Sequence, residues 1–108
     1  MTDFRFADIL SMQQSLQEKY AGRWEPIGPA TGKNKLLWMI GEVGEVIDIV
    51  KKHGDEAACT DPALRAHLTE ELADVLMYFG DVLLCYGISP EELKAAYEAK
   101  FRKNMTRW

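Results

Sequence analysis

Two pairs of carboxylates, each set three residues apart inside a long apolar run, constrain this chain more than any other feature. The first pair is Glu42 and Glu45 in LLWMIGEVGEVIDIVKK, and the second is Glu71 and Asp74 in TEELADVLMYFGDVLL. On a helix, three-residue spacing places both members on one face, with Cβ atoms about 5–6 Å apart. The flanking residues are apolar: Ile40, Val43, Val46, Ile47 and Val50 around the first pair, Leu72, Val75, Leu76 and Phe79 around the second. Such helices are expected to be largely buried, so the acids should line a cleft and not a washed surface.

If these two helices pack antiparallel, four carboxylates converge. Two like charges ~5 Å apart repel by about 3 kcal/mol at an effective dielectric of 20. Without a counter-charge, some of the acids must take up protons. A hard divalent cation such as Mg²⁺ removes the conflict, because it takes carboxylate oxygens and keeps waters that a phosphate can displace. The bland alternative is a set of solvated acids, or acids paired with Lys35, Lys51 and Lys52. A di-iron carboxylate bundle requires Glu-x-x-His. His53 and His67 follow Val50 and Leu64 at that spacing, so that reading fails.

The remaining chain also reads as helix. Phe4, Ile9, Met12, Leu16 and Tyr20 recur at helical steps over residues 3–21, with Thr2 or Asp3 as N-cap. Residues 22–32, rich in Gly and Pro, form an irregular connection whose Trp24 and Ile27 are expected to lie against the core. A central helix over residues 33–53 ends on Lys-Lys-His before Gly54. Residues 55–61 read as a loop, and Asp61-Pro62 starts a third helix that stops at Gly87. Ser89-Pro90-Glu91-Glu92 is a capping box opening a fourth helix to about residue 104, with Leu93, Tyr97 and Phe101 on its inner face. The fold class is all-α, a four-helix bundle forming a single domain over residues 1–108.

A net charge of −4 argues against a sequence-independent grip on a nucleic acid polymer. No uncharged apolar run reaches about 18 residues, so no membrane span is expected. The first ten residues lack a signal-peptide pattern, and Cys59 and Cys85 are too few for a disulfide framework. A cytoplasmic protein with reduced thiols is the expectation.

The paired motifs resemble those of the MazG-like, all-α nucleoside triphosphate pyrophosphohydrolase superfamily, which includes the dCTP pyrophosphatases. The family pattern is Glu-Glu-x-x-Glu followed, after a gap, by Glu-x-x-Asp. Here Gly41-Glu42-x-x-Glu45 precedes Glu71-x-x-Asp74, and the resemblance is strongest over residues 36–78. Lys100-x-x-x-Asn104-x-x-Arg107 looks like the family's closing basic segment. The resemblance implies Mg²⁺ held by Glu42, Glu45, Glu71 and Asp74, and hydrolysis of a nucleoside triphosphate to monophosphate and pyrophosphate. It also implies a nucleotide-pool house-cleaning role. The chain departs from the pattern at Gly41, where the family has its first Glu, and this bears on rate or on the number of metals. A catalytically weakened helical interaction module of the same fold is the alternative.

Several other side chains are candidates for the substrate. Tyr78 shares the face of the acids and resembles a nucleotide-contacting tyrosine of the family, or is a core tyrosine. Trp38, one turn before Glu42, either stacks on a base or fills the core. Lys35, Lys100, Asn104 and Arg107 are candidates to hold phosphate oxygens, although the helix dipole alone favours basic residues near helix C-termini. Asp48 and Asp81 either extend the acidic cleft or are solvated acids, and the solvated reading is preferred. The excess of apolar positions on the two acidic helices needs a covering surface, so a homodimer or homotetramer is expected.

Overall fold

The computed structural model describes residues 3–107 and is all-α. Its helices are α1 (Phe6–Lys19), α2 (Gly32–His53), α3 (Asp55–Thr60), α4 (Pro62–Tyr86) and α5 (Pro90–Arg107), with a single 3₁₀ turn at Pro29–Thr31 in the connection before α2. The expected boundaries of the central helices hold to within a residue. The loop expected at 55–61 is instead the short helix α3. Its Asp55 and Glu56 sit at the positive end of the helix and Ala58 is buried beneath it.

Local chemistry accounts for most of the helix ends. The Asp61 carboxylate accepts hydrogen bonds from the backbone N–H of Ala63 (3.0 Å) and Leu64 (3.2 Å), and Pro62 fills the first position of α4. Gly87 ends α4 in the left-handed region (φ 66°), and Ser89 Oγ accepts from Glu92 N–H (3.1 Å) to start α5. The N-cap of α1 differs from the sequence expectation. Arg5 holds the position, and the Asp8 carboxylate reaches back to accept its backbone N–H at 2.9 Å. Of the two expected caps, Asp3 precedes the helix and Thr2 lies outside the described residues.

The antiparallel pairing of α2 with α4 is the centre of the fold. Thr31 Oγ1 meets Cys85 Sγ at 3.5 Å, Lys35 meets Asp81, and the carboxylates of Glu45 and Glu71 come within 4.8 Å of each other. As the position on one helix advances, its partner on the other recedes in step, so Glu42 comes opposite Asp74 as Glu45 comes opposite Glu71. Gly32 permits the close start of this pairing, because a Cβ there would overlap the Tyr86 ring. Helix α1 crosses α4 where Gly80 has no side chain. A Cβ at Gly80 would stand 3.0 Å from Ile9 Cγ2 and 3.1 Å from Gln13 Cγ. Phe6 packs edge-on against Phe79 with ring centroids 6.1 Å apart.

The buried apolar residues are Ile9 of α1, Ile49 of α2, Ala58 of α3 and Val82, Leu83 and Cys85 of α4. Two expectations fail here. Helix α2 is not largely buried within one chain, since Ile40 is 63% and Ile47 56% exposed. Helix α5 has no inner face within the chain: Tyr97 is 74% and Phe101 57% exposed, and the helix makes no extended packing contact with the others among the described residues. Both apolar stripes obey helical spacing, but spacing identifies a face without saying which surface covers it. No single described helix is long and apolar enough to cross a membrane.

Candidate metal centre and nucleotide cavity

Because α2 and α4 run antiparallel, Glu42 and Glu45 meet Glu71 and Asp74 across the helix interface. Glu42, Glu45 and Glu71 each offer a carboxylate oxygen, and these atoms lie within 4.8 Å of one another. Asp74 stands close enough for its charge to act on both Glu42 and Glu71. Glu45 is exposed, while Glu42 and Glu71 are half-buried.

The electrostatics are those of an uncompensated cluster. The Glu42 carboxyl is held above its ordinary range by burial first, then by the charges of Glu45, Asp74 and Glu71 and by a hydrogen bond with Glu45. Glu71 is raised by burial, by a hydrogen bond with Glu45 and by the charges of Glu45 and Asp74, with His67 pulling the other way. His67 Nε2 lies 3.5 Å from Glu71 Oε1 and is itself exposed. Glu42 Oε2 and Glu71 Oε2 are sealed from solvent and accept no hydrogen bond. Two buried carboxylate oxygens without a donor are costly. A hard cation ligated by oxygen satisfies both and relieves the mutual repulsion, so the donor set fits a divalent metal ion.

Cavities open on either side of the acids. The first, of about 370 Å³, is bounded by Glu42 and Asp74 on one edge and by Trp24, Trp38 and Tyr78 around it. That size lies within the range of small-molecule sites. Trp38 is 58% exposed and so lies outside the core of this chain, and Trp24 is 42% exposed on the same cavity, packed less closely on the core than expected. Burial raises the Tyr78 hydroxyl pKa, with further contributions from Glu42, Asp81 and Asp74. The second cavity, of about 290 Å³, is lined by Glu45 and Glu71 together with Lys52, His53 and His67.

A family model for the MazG nucleotide pyrophosphohydrolase domain matches residues 30–106, more than two thirds of the chain. The chain belongs to the MazG family. No match was found among curated proteins or among solved structures. Nucleotide pyrophosphohydrolase chemistry is thus the activity to which this MazG domain points in general, and the family is generally metal-dependent.

The other expected site residues divide into two groups. Lys35 does not reach out to phosphate oxygens from an exposed position. It is 6% exposed, and its Nζ lies 3.3 Å from Asp81 Oδ2, which is buried as well. The expectation of a solvated Asp81 fails with it. Lys100, Asn104 and Arg107 are exposed on α5 and line neither cavity beside the acids. Sequence reasoning missed Gln13 of α1, which is buried against Asp81 and lines the first cavity. The signal for the Lys35–Asp81 pair was present. Lys35 precedes Glu42 by two turns and Asp81 follows Asp74 by two turns, so antiparallel register brings them together.

Proposed function

We propose that this MazG domain is a Mg²⁺-dependent hydrolase that converts a nucleoside triphosphate to its monophosphate and pyrophosphate, in nucleotide-pool house-cleaning. The observation that carries the reading is the pair of sealed, donorless oxygens, Glu42 Oε2 and Glu71 Oε2, within a cluster of like charges. Glu42, Glu45, Glu71 and Asp74 would hold Mg²⁺. Bound there, the ion would supply charge neutralisation for the triphosphate and a lowered pKa for an attacking water. The protein's own contribution is to fix four acceptors on two rigid helices and to place an aromatic cavity beside them. Trp38 and Tyr78 line the cavity on the side where a nucleoside would sit.

The second part of the proposal concerns assembly. A folded monomer of this mass exposes about 6,100 Å², whereas this chain exposes 8155 Å². Its radius of gyration is 16.2 Å, against about 13 Å for a compact domain of this length. The excess area sits on Ile40, Ile47, Tyr97, Phe101 and Met105. A homodimer or homotetramer covering these faces supplies the missing burial, and brings α5, with Lys100, Asn104 and Arg107, onto another copy. The working unit is the single domain 1–108. Two free cysteines favour a cytoplasmic location.

The test is pyrophosphate release from a panel of nucleoside triphosphates with and without Mg²⁺, using the parent and Glu45→Gln. Mg²⁺-dependent pyrophosphate from the parent, lost in a Glu45→Gln chain of unchanged helical content, supports the proposal. Equal turnover by the two chains refutes the ligand assignment.

A further inference from the structure

The wall of the first cavity opposite the acids holds an arrangement that cation binding does not use. Asp81 is 3% exposed and accepts from Gln13 Nε2 at 2.9 Å, from Gln17 Nε2 at 3.4 Å and from Lys35 Nζ at 3.3 Å. Gln13, Lys35 and Asp81 all line the cavity that Trp24, Trp38 and Tyr78 surround. A buried ion pair is an expensive way to fill a wall, since well-packed apolar residues of similar volume often stabilise a fold as much or more.

The spent and unspent hydrogen bonds indicate what the wall can read. A carboxylate only accepts, so Asp81 fixes the Gln13 amide with its nitrogen inward and leaves Oε1 as an acceptor. Gln13 Oε1 takes no hydrogen bond among the described residues, and Gln13 lines the cavity. Lys35 has three donors, and Asp81 is its one ion-pair partner among the described residues. The cavity therefore offers a cationic donor beside a neutral acceptor.

We infer that Lys35 and Gln13, positioned by Asp81, read the edge of the nucleobase and favour a ring carbonyl beside a ring N–H. The carbonyl oxygen accepts from Lys35, as guanine O6 does from lysine in nucleic-acid recognition, and the N–H donates to Gln13 Oε1. Guanine, uracil and thymine carry that edge. Cytosine has a carbonyl with no ring N–H next to it, and adenine has no carbonyl and turns an amine toward the cation. The order of preference is thus guanine, uracil and thymine first, cytosine next and adenine last. This inference rests on the pyrophosphohydrolase reading for its choice of ligand, and its test separates the two.

Two readouts are taken on the full chain: pyrophosphate release from dGTP, dUTP, dCTP and dATP with Mg²⁺, and quenching of tryptophan fluorescence by the corresponding monophosphates without metal. Guanine and uracil nucleotides are expected to exceed adenine nucleotides at least about tenfold in both, the discrimination one charge-assisted hydrogen bond supplies. The same ratio should collapse toward one in Lys35→Met/Asp81→Leu, which removes both charges together, and in the milder Gln13→Met, which leaves the ion pair intact. Preference in binding with no hydrolysis of any nucleotide leaves the base reading standing and removes the enzymatic one. Hydrolysis without base preference, or with adenine first, overturns the inference and leaves the enzymatic reading standing. A base order unchanged in either folded variant also overturns it, and makes the Lys35–Asp81 pair structural only. Failure of the parent to bind any monophosphate overturns it as well.

Discussion

Replacing Glu42 by Gln should make the metal-free protein more stable and the magnesium-loaded protein less so. The cluster's carboxylate oxygens approach within 4.8 Å. Two charges at that separation repel by about 3 kcal/mol at an effective dielectric of 20. Glu45 is exposed, so water and salt reduce the Glu42–Glu45 share to about 1 kcal/mol. Glutamine keeps the shape, removes one charge and can donate to Glu45. For a domain of this size a gain of about 1 kcal/mol raises Tm by roughly 4 °C. The effect belongs to pH above the ordinary glutamate range. Burial and like charges raise the Glu42 pKa, so its carboxyl stabilises the fold below the ordinary glutamate range and loses that contribution as pH climbs through the raised value. The two chains should therefore melt closest together below the ordinary glutamate range, and Glu42→Gln should melt increasingly higher as pH rises above it. Magnesium at 100 times its Kd stabilises the parent by about 2.7 kcal/mol, and this shift should be largely lost in the variant. A Glu42→Gln chain that melts below the parent at pH above the glutamate range without metal, and keeps the full magnesium shift, refutes the reasoning.

Five other outcomes follow from the same structure. In chelator-treated parent protein, urea stability should fall as pH rises from the ordinary glutamate range and Glu42 and Glu71 lose their protons, and magnesium should flatten the profile; a stability that rises with pH there in chelator contradicts the cluster. Gly41 sits in α2 with no atom near a new Cβ, so Gly41→Ala should raise stability by about 1 kcal/mol through helix propensity; Gly41→Glu, which restores the family's first glutamate, should raise pyrophosphate release, and an unchanged rate would show that a carboxylate there is idle. Gly80→Ala forces a methyl against Ile9 and Gln13 and should cost about 1–3 kcal/mol in denaturant unfolding. Ile47→Asp, on an apolar face with no cover in the chain, should shift sedimentation toward monomer; an unchanged oligomer places the interface elsewhere.

Local chemistry was legible in the sequence. Asp61-Pro62, Ser89 with Glu92, and Gly87 set the boundaries of α4 and α5 because capping needs only neighbours within a turn. The acid cluster was legible because two three-residue spacings fix two faces and antiparallel packing is the short connection's natural outcome. The partners of apolar faces were not legible. Tyr97 and Phe101 mark a stripe on α5, but the stripe faces nothing within the chain. The Lys35–Asp81 pair follows from the same antiparallel register two turns beyond the acids, but reading each residue on its own helix alone overlooks it. Helix α3 was missed because a six-residue helix carries too little periodicity to separate it from a loop.

The most direct test of the acid cluster as a cation cradle is anomalous diffraction from crystals soaked in Mn²⁺, a stand-in for Mg²⁺ with the same taste for oxygen ligands. The account predicts an anomalous peak bounded by Glu42, Glu45, Glu71 and Asp74, with Glu42 Oε2 and Glu71 Oε2 turned to the ion. No peak there at millimolar Mn²⁺, with those carboxylates instead turned to lysines or bulk water, would contradict it.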